Sequence, residues 1–132
     1  MTVTTPKIVQ QWFKYARNDL NMAKASLELS SSYKNISAFH SQQCAEKAVK
    51  GYLAFKKIRF HKTHNMTELL DLVNSVDAKL AKNISKAKTL TIYAVIYRYP
   101  DAERKPMTVA KAKAASKIAD HVLNMCIEAL KA

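Results

Sequence analysis

Residues 39–52 of the chain read Phe-His-Ser-Gln-Gln-Cys-Ala-Glu-Lys-Ala-Val-Lys-Gly-Tyr, inside a longer helical pattern. Polar residues alternate here with apolar ones, and the apolar side chains point in several directions when successive residues turn by about 100°. A helix at the edge of a fold needs only one apolar face. This stretch therefore predicts a helix at the centre of a bundle. Some of its polar groups should be buried, and buried polar groups need partners.

The composition predicts the fold class. Gly51 is the only glycine among 132 residues, and there are three prolines. A β-protein of this length needs many tight turns, which depend on glycine, whereas a helical bundle needs few. We expect an all-α fold, namely an up-and-down bundle of four long helices plus a short one. The length suits a single domain covering residues 1–132.

Hydrophobic spacing and capping residues place the helices. The predicted ranges are 6–29, 33–57, a third helix capped by Asn65 and ending near 76, 78–97 with a break near 88–89, and a last helix from its cap Thr108 to about 130. The last helix has apolar residues over about half of its circumference, beyond the needs of one core face. This excess of apolar residues predicts a homodimer with a two-fold interface. The residues concerned are Ala112, Ala119, Leu123, Cys126 and Leu130.

The net charge of +12 has two interpretations. One is an anionic partner, such as a nucleotide, nucleic acid or acidic protein; the other is a soluble surface covered with lysine. Cys44 and Cys126 have no paired spacing and are interpreted as reduced core residues of a cytoplasmic protein. No apolar run reaches the roughly 20 residues of a membrane span. The histidines lack the spacing of a helical zinc site, and we predict no metal and no cofactor.

Two polar stripes lie along the second predicted helix. One contains His40, Gln43 and Lys47, and the other contains Glu46 and Lys50. They are explained equally by a hydrogen-bond network between helices and by a binding surface. The sequence leaves both alternatives open.

Two loops add cationic side chains. Lys62 and His64 precede the third helix, where free backbone N–H groups favour an anion. Arg98, Tyr99 and Asp101 follow the fourth predicted helix. The guanidinium of Arg98 suits a carboxylate or phosphate, although Asp101 could instead close it in a salt bridge. No arrangement of catalytic residues emerges, so we assign none.

These segments together resemble the HEPN domain. The matches are the residues from Trp12 to Ala23, the Phe39 to Tyr52 segment with Gln43, Glu46, Lys47 and Lys50, the pair Thr63 and His64 before the Leu69 helix, and Arg98-Tyr99-Pro100. The resemblance implies a bundle of four or five helices, usually dimeric. It also implies a minimal nucleotidyltransferase as partner in a toxin–antitoxin-like pair, and nucleotide binding.

One departure from the family concerns catalysis. HEPN ribonucleases carry an arginine followed, after four to six residues, by a histidine. Counted from Arg98, the corresponding positions hold Glu103, Arg104 and Lys105. Without an imidazole, proton transfer loses a factor of about 10² to 10⁴. We therefore expect a non-catalytic HEPN binding module. The alternatives are an RNA-cleaving toxin with an atypical active site, which is not favoured, and a module that binds only protein.

Overall fold

The computed structural model describes residues 1–131, and these form a bundle built around three long helices. The long helices are α1 (Lys7–Leu29), α2 (Lys34–Phe55) and α6 (Val109–Ala129). Between α2 and α6 lie the short helices α3 (Met66–Asn74), α4 (Ala78–Asn83) and α5 (Thr91–Val95), with 3₁₀ turns at Ser31–Tyr33 and Ser85–Leu90. No strand occurs in the described part of the chain. The predicted all-α bundle is confirmed.

Helix α2 is the centre of the bundle, as residues 39–52 predicted. It packs along α1 on one side and α6 on the other, and it also contacts α3 and α5. Its small residues Ala38, Ala45 and Ala48 have no exposed surface, which lets the neighbouring helices approach closely. Gln42, Glu46 and Lys50 are buried on the same helix. A central helix with buried polar groups is therefore observed.

The predicted fourth long helix is instead divided into α4, a 3₁₀ segment and α5. Asp77 caps α4, where its Oδ1 accepts a hydrogen bond of 3.0 Å from the N–H of Leu80. The buried residues that follow are Ile84, Ala87 and Leu90. This spacing of three matches the three residues per turn of a 3₁₀ helix, so each turn places one apolar side chain in the core. The predicted break near 88–89 lies inside this 3₁₀ segment.

The apolar surface of α6 is used within the chain. Ala112, Ala119, Leu123 and Cys126 are fully buried, and Leu130 packs against the core. The reason given for a homodimer was therefore wrong, because these apolar side chains of α6 are already buried within a single chain. The homodimer itself stays a prediction.

Exposed apolar side chains lie on α1 and α5. On α1 they recur every seven residues, and on α5 and the turn after it they follow the spacing of one helix face. These residues are Ile8, Tyr15, Met22 and Leu29 on α1, and Ile92, Val95, Ile96 and Tyr99 on α5 and the turn.

The two cysteines are free and buried. Burial raises the pKa of the Cys44 thiol to about 12 and also raises the pKa of Cys126, which makes both thiols poor nucleophiles. Among residues 1–131, no helix combines the length and apolar character that crossing a bilayer requires.

Candidate functional site

A buried carboxylate on α2 organises one end of the candidate site. Glu46 accepts hydrogen bonds from Lys50 Nζ at 2.9 Å, from His64 Nδ1 at 2.7 Å and from Gln42 Nε2 at 3.1 Å. Gln43 donates in turn to the amide oxygen of Gln42 at 2.7 Å. Every polar atom of this buried group is satisfied. The arrangement fixes side-chain positions and ties the loop before α3 to the central helix.

Lys50 is enclosed as well as paired. Its ammonium lies 5.9 Å from the ring centre of Trp12 on α1 and 5.8 Å from that of Phe60 in the following loop. The side chain is only 7% exposed. Two aromatic faces and one carboxylate together compensate for the loss of water around the charge. Lys50 therefore acts in folding, and its ammonium is not free to bind an external anion.

A second carboxylate, Asp19 of α1, holds two more of the predicted site residues. His40 Nδ1 donates to its Oδ1 at 2.9 Å, and Lys47 Nζ donates to its Oδ2 at 2.5 Å. Burial alone would raise the pKa of Asp19, but the hydrogen bonds from His40 and Lys47 and their charges outweigh it and lower that pKa. Asp19 is thus ionised at neutral pH. Because a carboxylate only accepts, Nδ1 of His40 carries the hydrogen and Nε2 is left available.

Arg98 lies over the other end of the same α2 face. Its guanidinium carbon is 5.1 Å from the ring centre of Phe39 and 5.8 Å from that of Tyr99. No ion pair or hydrogen bond within residues 1–131 uses this guanidinium. It borders a groove of about 220 Å³ that also contains the His40 side chain; the lining residues are Asn35, Ile36, Phe39, His40, Tyr97 and Arg98. An exposed guanidinium and an imidazole therefore share one concave surface.

Arg104 occupies one of the positions where HEPN ribonucleases carry histidine, and here it shapes the loop. Its Nη1 donates to the carbonyl of Ile96 at 2.7 Å, and its Nη2 donates to that of Tyr99 at 2.8 Å. The guanidinium also lies 4.6 Å from the ring centre of Tyr97. These contacts cap carbonyl groups that the end of a helix leaves free. Arg104 thus folds the segment after α5 back onto itself.

The remaining predicted residues are exposed and less constrained. Asp101 accepts a hydrogen bond of 3.0 Å from the N–H of Glu103 and makes no ion pair with Arg98, so the alternative of a salt bridge between these two residues is not observed. Tyr99 is 64% exposed. Lys62 is exposed in the loop before α3. The stretch from Phe39 to Glu46 spans about 10 Å along α2, so Arg98 and His64 lie at separate points of one face.

The structure thus divides the predicted site residues. Lys47 is paired with Asp19, and Lys50 and His64 both contact the carboxylate of Glu46. Arg98 and His40 are brought together in the groove. Sequence reasoning did not assign roles to Asp19 and Phe39. The signal for Asp19 was an acidic residue among the core-facing positions Ala16, Leu20 and Ala23 of α1, which predicts a partner on the next helix.

Comparison with known proteins agrees with this fold. The model of the HEPN domain matches residues 9–130. A protein of Methanocaldococcus jannaschii named "Putative toxin MJ1304" is 33% identical over 101 residues, which cover 72% of this chain and 65% of that protein, just under two thirds of its length.

Two solved structures share the fold over most of their length. The crystal structure of TT1696 from Thermus thermophilus has a TM-score of 0.74 and 27% identity, covering 91% of this chain and 96% of that chain. ST0689, described as an archaeal HEPN homologue, has a TM-score of 0.70 and 29% identity, covering 92% of this chain and 97% of its own. The helical bundle and the match of the family model over residues 9–130 identify the same class of protein. The chain belongs to the HEPN domain family.

Proposed function

We propose that this protein is a non-catalytic HEPN binding module whose α2 face recognises a phosphate-bearing ligand, with a nucleotide as the first choice. The observation that carries the proposal is the groove at Arg98. Its guanidinium has no carboxylate partner within residues 1–131, lies against Phe39 and borders the same space as His40. A guanidinium can bind two phosphate oxygens at once, and the aromatic ring holds it in place. The imidazole of His40 adds a donor at Nε2 when the ring is protonated.

The wider context of the proposal is a toxin–antitoxin-like pair. The relative from Methanocaldococcus jannaschii is named a putative toxin, and it supports this context for the present chain. The partner we propose is a minimal nucleotidyltransferase, and the assembly state is a homodimer. A ligand groove on the central helix, next to exposed apolar side chains, would allow ligand and subunit contacts to influence each other.

Isothermal titration calorimetry with ATP, GTP and their monophosphates tests the binding function. We expect binding that weakens as salt rises, because the contact is largely electrostatic. Arg98→Ala should weaken it about tenfold or more, since a charge-assisted hydrogen bond is worth about 1.5–3 kcal/mol. Arg17→Ala, which removes an exposed arginine elsewhere on the chain, serves as the control. Absent or millimolar binding to all four nucleotides by well-folded protein would favour a module that binds only protein.

A second candidate function, RNA cleavage by an atypical residue set, is favoured by one specific observation. Asp19 orients His40 through Nδ1, and His40 lines the groove that contains Arg98. An imidazole held by a carboxylate is a suitable general base for a ribose hydroxyl, and a nearby guanidinium suits the charge that develops on the phosphate. This arrangement differs from the family motif, since the histidine comes from α2.

Incubation with end-labelled single-stranded RNA separates the two functions. The binding proposal expects no cleavage above background, even at high protein concentration. Cleavage that disappears in both His40→Ala and Arg98→Ala, but persists in His121→Ala, would establish the second function. His121 is a suitable control because it contacts the carbonyl of Asn83 and lies outside this groove.

A further inference from the structure

A second groove lies between the start of the 3₁₀ segment and α6, and it shares no residue with the α2 face. Its volume is about 380 Å³. The accessible aliphatic side chain of its floor is the half-buried Ile118, while Ile84 and Val122, which also line the groove, are fully buried and present no surface to a ligand. Three exposed lysines surround this floor: Lys82, Lys86 and Lys117. The groove is therefore apolar at the bottom and cationic at the rim.

The lysines of the rim have no anionic partner within residues 1–131. None of the residues that line the groove is acidic. The acidic residues on the adjoining elements are engaged elsewhere, because Asp77 caps α4, Asp120 pairs with Lys24 of α1 and Glu128 pairs with Lys131. Three uncompensated positive charges around an apolar floor form a surface complementary to negative charge combined with aliphatic groups.

The chemistry of the groove favours a protein segment over nucleic acid. It contains no arginine and no phenylalanine, tyrosine or tryptophan, so it lacks the two-pronged phosphate contact and the large aromatic platform on which the bases of single strands stack. The aliphatic floor suits leucine or isoleucine side chains. His121 Nε2 donates to the carbonyl of Asn83 at 2.9 Å, which fixes one wall. An amphipathic helix that places apolar residues into a groove is a recurrent mode of recognition.

We propose that this groove docks an acidic amphipathic segment of a partner protein, with an aliphatic side chain against Ile118 and its carboxylates at Lys82, Lys86 and Lys117. This proposal uses none of the residues of the α2 face, so it can be tested independently of the proposed phosphate binding. It also accounts for part of the excess positive charge as a recognition feature.

Fluorescence anisotropy with a labelled synthetic peptide tests the proposal. The probe is a helical peptide of about 15 residues with leucine on one face and glutamate elsewhere. We expect the triple variant Lys82→Glu/Lys86→Glu/Lys117→Glu to weaken its binding about tenfold or more. The control variant Lys14→Glu/Lys56→Glu/Lys105→Glu changes the net charge equally and should weaken binding by less than about twofold.

Two further measurements identify the contribution of the floor and the class of ligand. Ile118→Ser, with folding checked by circular dichroism, should weaken the leucine-bearing peptide but leave binding of a polyglutamate peptide unchanged. The proposal is overturned if the peptide does not bind or if the control variant weakens binding as much as the rim variant. It is also overturned if a single-stranded oligouridylate binds more tightly than the peptide with the same dependence on the rim lysines, because the groove would then be a nucleic-acid surface.

Discussion

Gly51 shows how one residue reflects the packing of two helices. It lies inside α2, where glycine costs about 1 kcal/mol relative to alanine. The reason for glycine at this position is the close approach of α1. A Cβ at this position would lie 2.9 Å from Cε2 of Phe13 and 3.0 Å from Cβ of Trp12. Both atoms belong to residues packed between the helices.

We therefore expect Gly51→Ala to destabilise the protein by about 1–3 kcal/mol, because overpacking exceeds the gain in helix propensity. Urea unfolding at neutral pH measures the effect. The matched control is the reverse substitution at an exposed position of α1, Ala25→Gly, which measures the propensity difference alone and should cost about 1 kcal/mol. An increase in stability for Gly51→Ala would mean that α1 and α2 separate more easily than their contacts indicate.

Asp19 should give stability a specific dependence on pH. Its folded-state pKa is lowered, so its contribution is present above the unfolded value of about 3.9 and is lost as pH falls through the folded value. Asp19→Asn removes this contribution. We expect the variant to be less stable than wild type by about 1–3 kcal/mol at neutral pH, with a difference that shrinks as pH falls below about 4.

Urea unfolding over this pH range provides the measurement, with Asp71→Asn at an exposed position of α3 as the control. A difference between wild type and Asp19→Asn that stays constant down to about pH 2 would show that the carboxylate charge is not the stabilising feature. In that case shape and hydrogen bonding alone would account for its place between α1 and α2.

At the scale of elements, the exposed stripes of α1 and α5 are the structural basis for the predicted homodimer. Met22 is 49% exposed and Val95 is 57% exposed, and each belongs to a row of apolar residues on one side of its helix. We expect the interface of the predicted homodimer at these rows, since exposed apolar surface is covered when two subunits associate. Light scattering at micromolar concentration should give about twice the chain mass of 14.9 kDa.

Met22→Glu and Val95→Glu should each shift the protein toward the monomer, because a charge in an apolar interface is costly. Val76→Glu is a matched control, since Val76 is also apolar and 50% exposed but follows α3. A mass near 14.9 kDa for the wild type would count against the homodimer. Equal effects of all three substitutions would point to general destabilisation instead.

The elements also show how far sequence reasoning reached. The long helices were predictable because α1, α2 and α6 have continuous hydrophobic spacing and clear boundaries, such as the cap Thr108, whose Oγ1 accepts from the N–H of Lys111. The region from Ala78 to Val95 was harder, because apolar residues at a spacing of three and at a spacing of four cannot be separated without knowing the shape of the core. Its division depends on packing against α2 and α6.

For the molecule as a whole, the buried polar residues of α2 were predictable from the sequence, and the pairing of its charges was less so. The face of α2 followed from polar residues such as His40 and Glu46 within a central helix. Which cations remain free depends on contacts between distant segments, for example Lys47 with Asp19 across 28 residues. Such pairings require the tertiary fold. The sequence therefore indicates the region of the candidate site, and the structure shows that Arg98 is an exposed cation beside Phe39 and His40 of α2.

Arg104 does not line the groove at Arg98, but it would affect the affinity of that groove for the proposed ligand. Two hydrogen bonds from one side chain hold the turn that carries Arg98, and α5 before it has only five residues. Short helices are marginal by themselves, so we expect this turn to open more readily than the bundle unfolds. The apparent dissociation constant of any ligand at Arg98 equals the intrinsic constant divided by the closed fraction. If the proposed ligand binds at Arg98, Arg104 would set its affinity without touching it, and a substitution of Arg104 would change that affinity while leaving the contact surface unchanged.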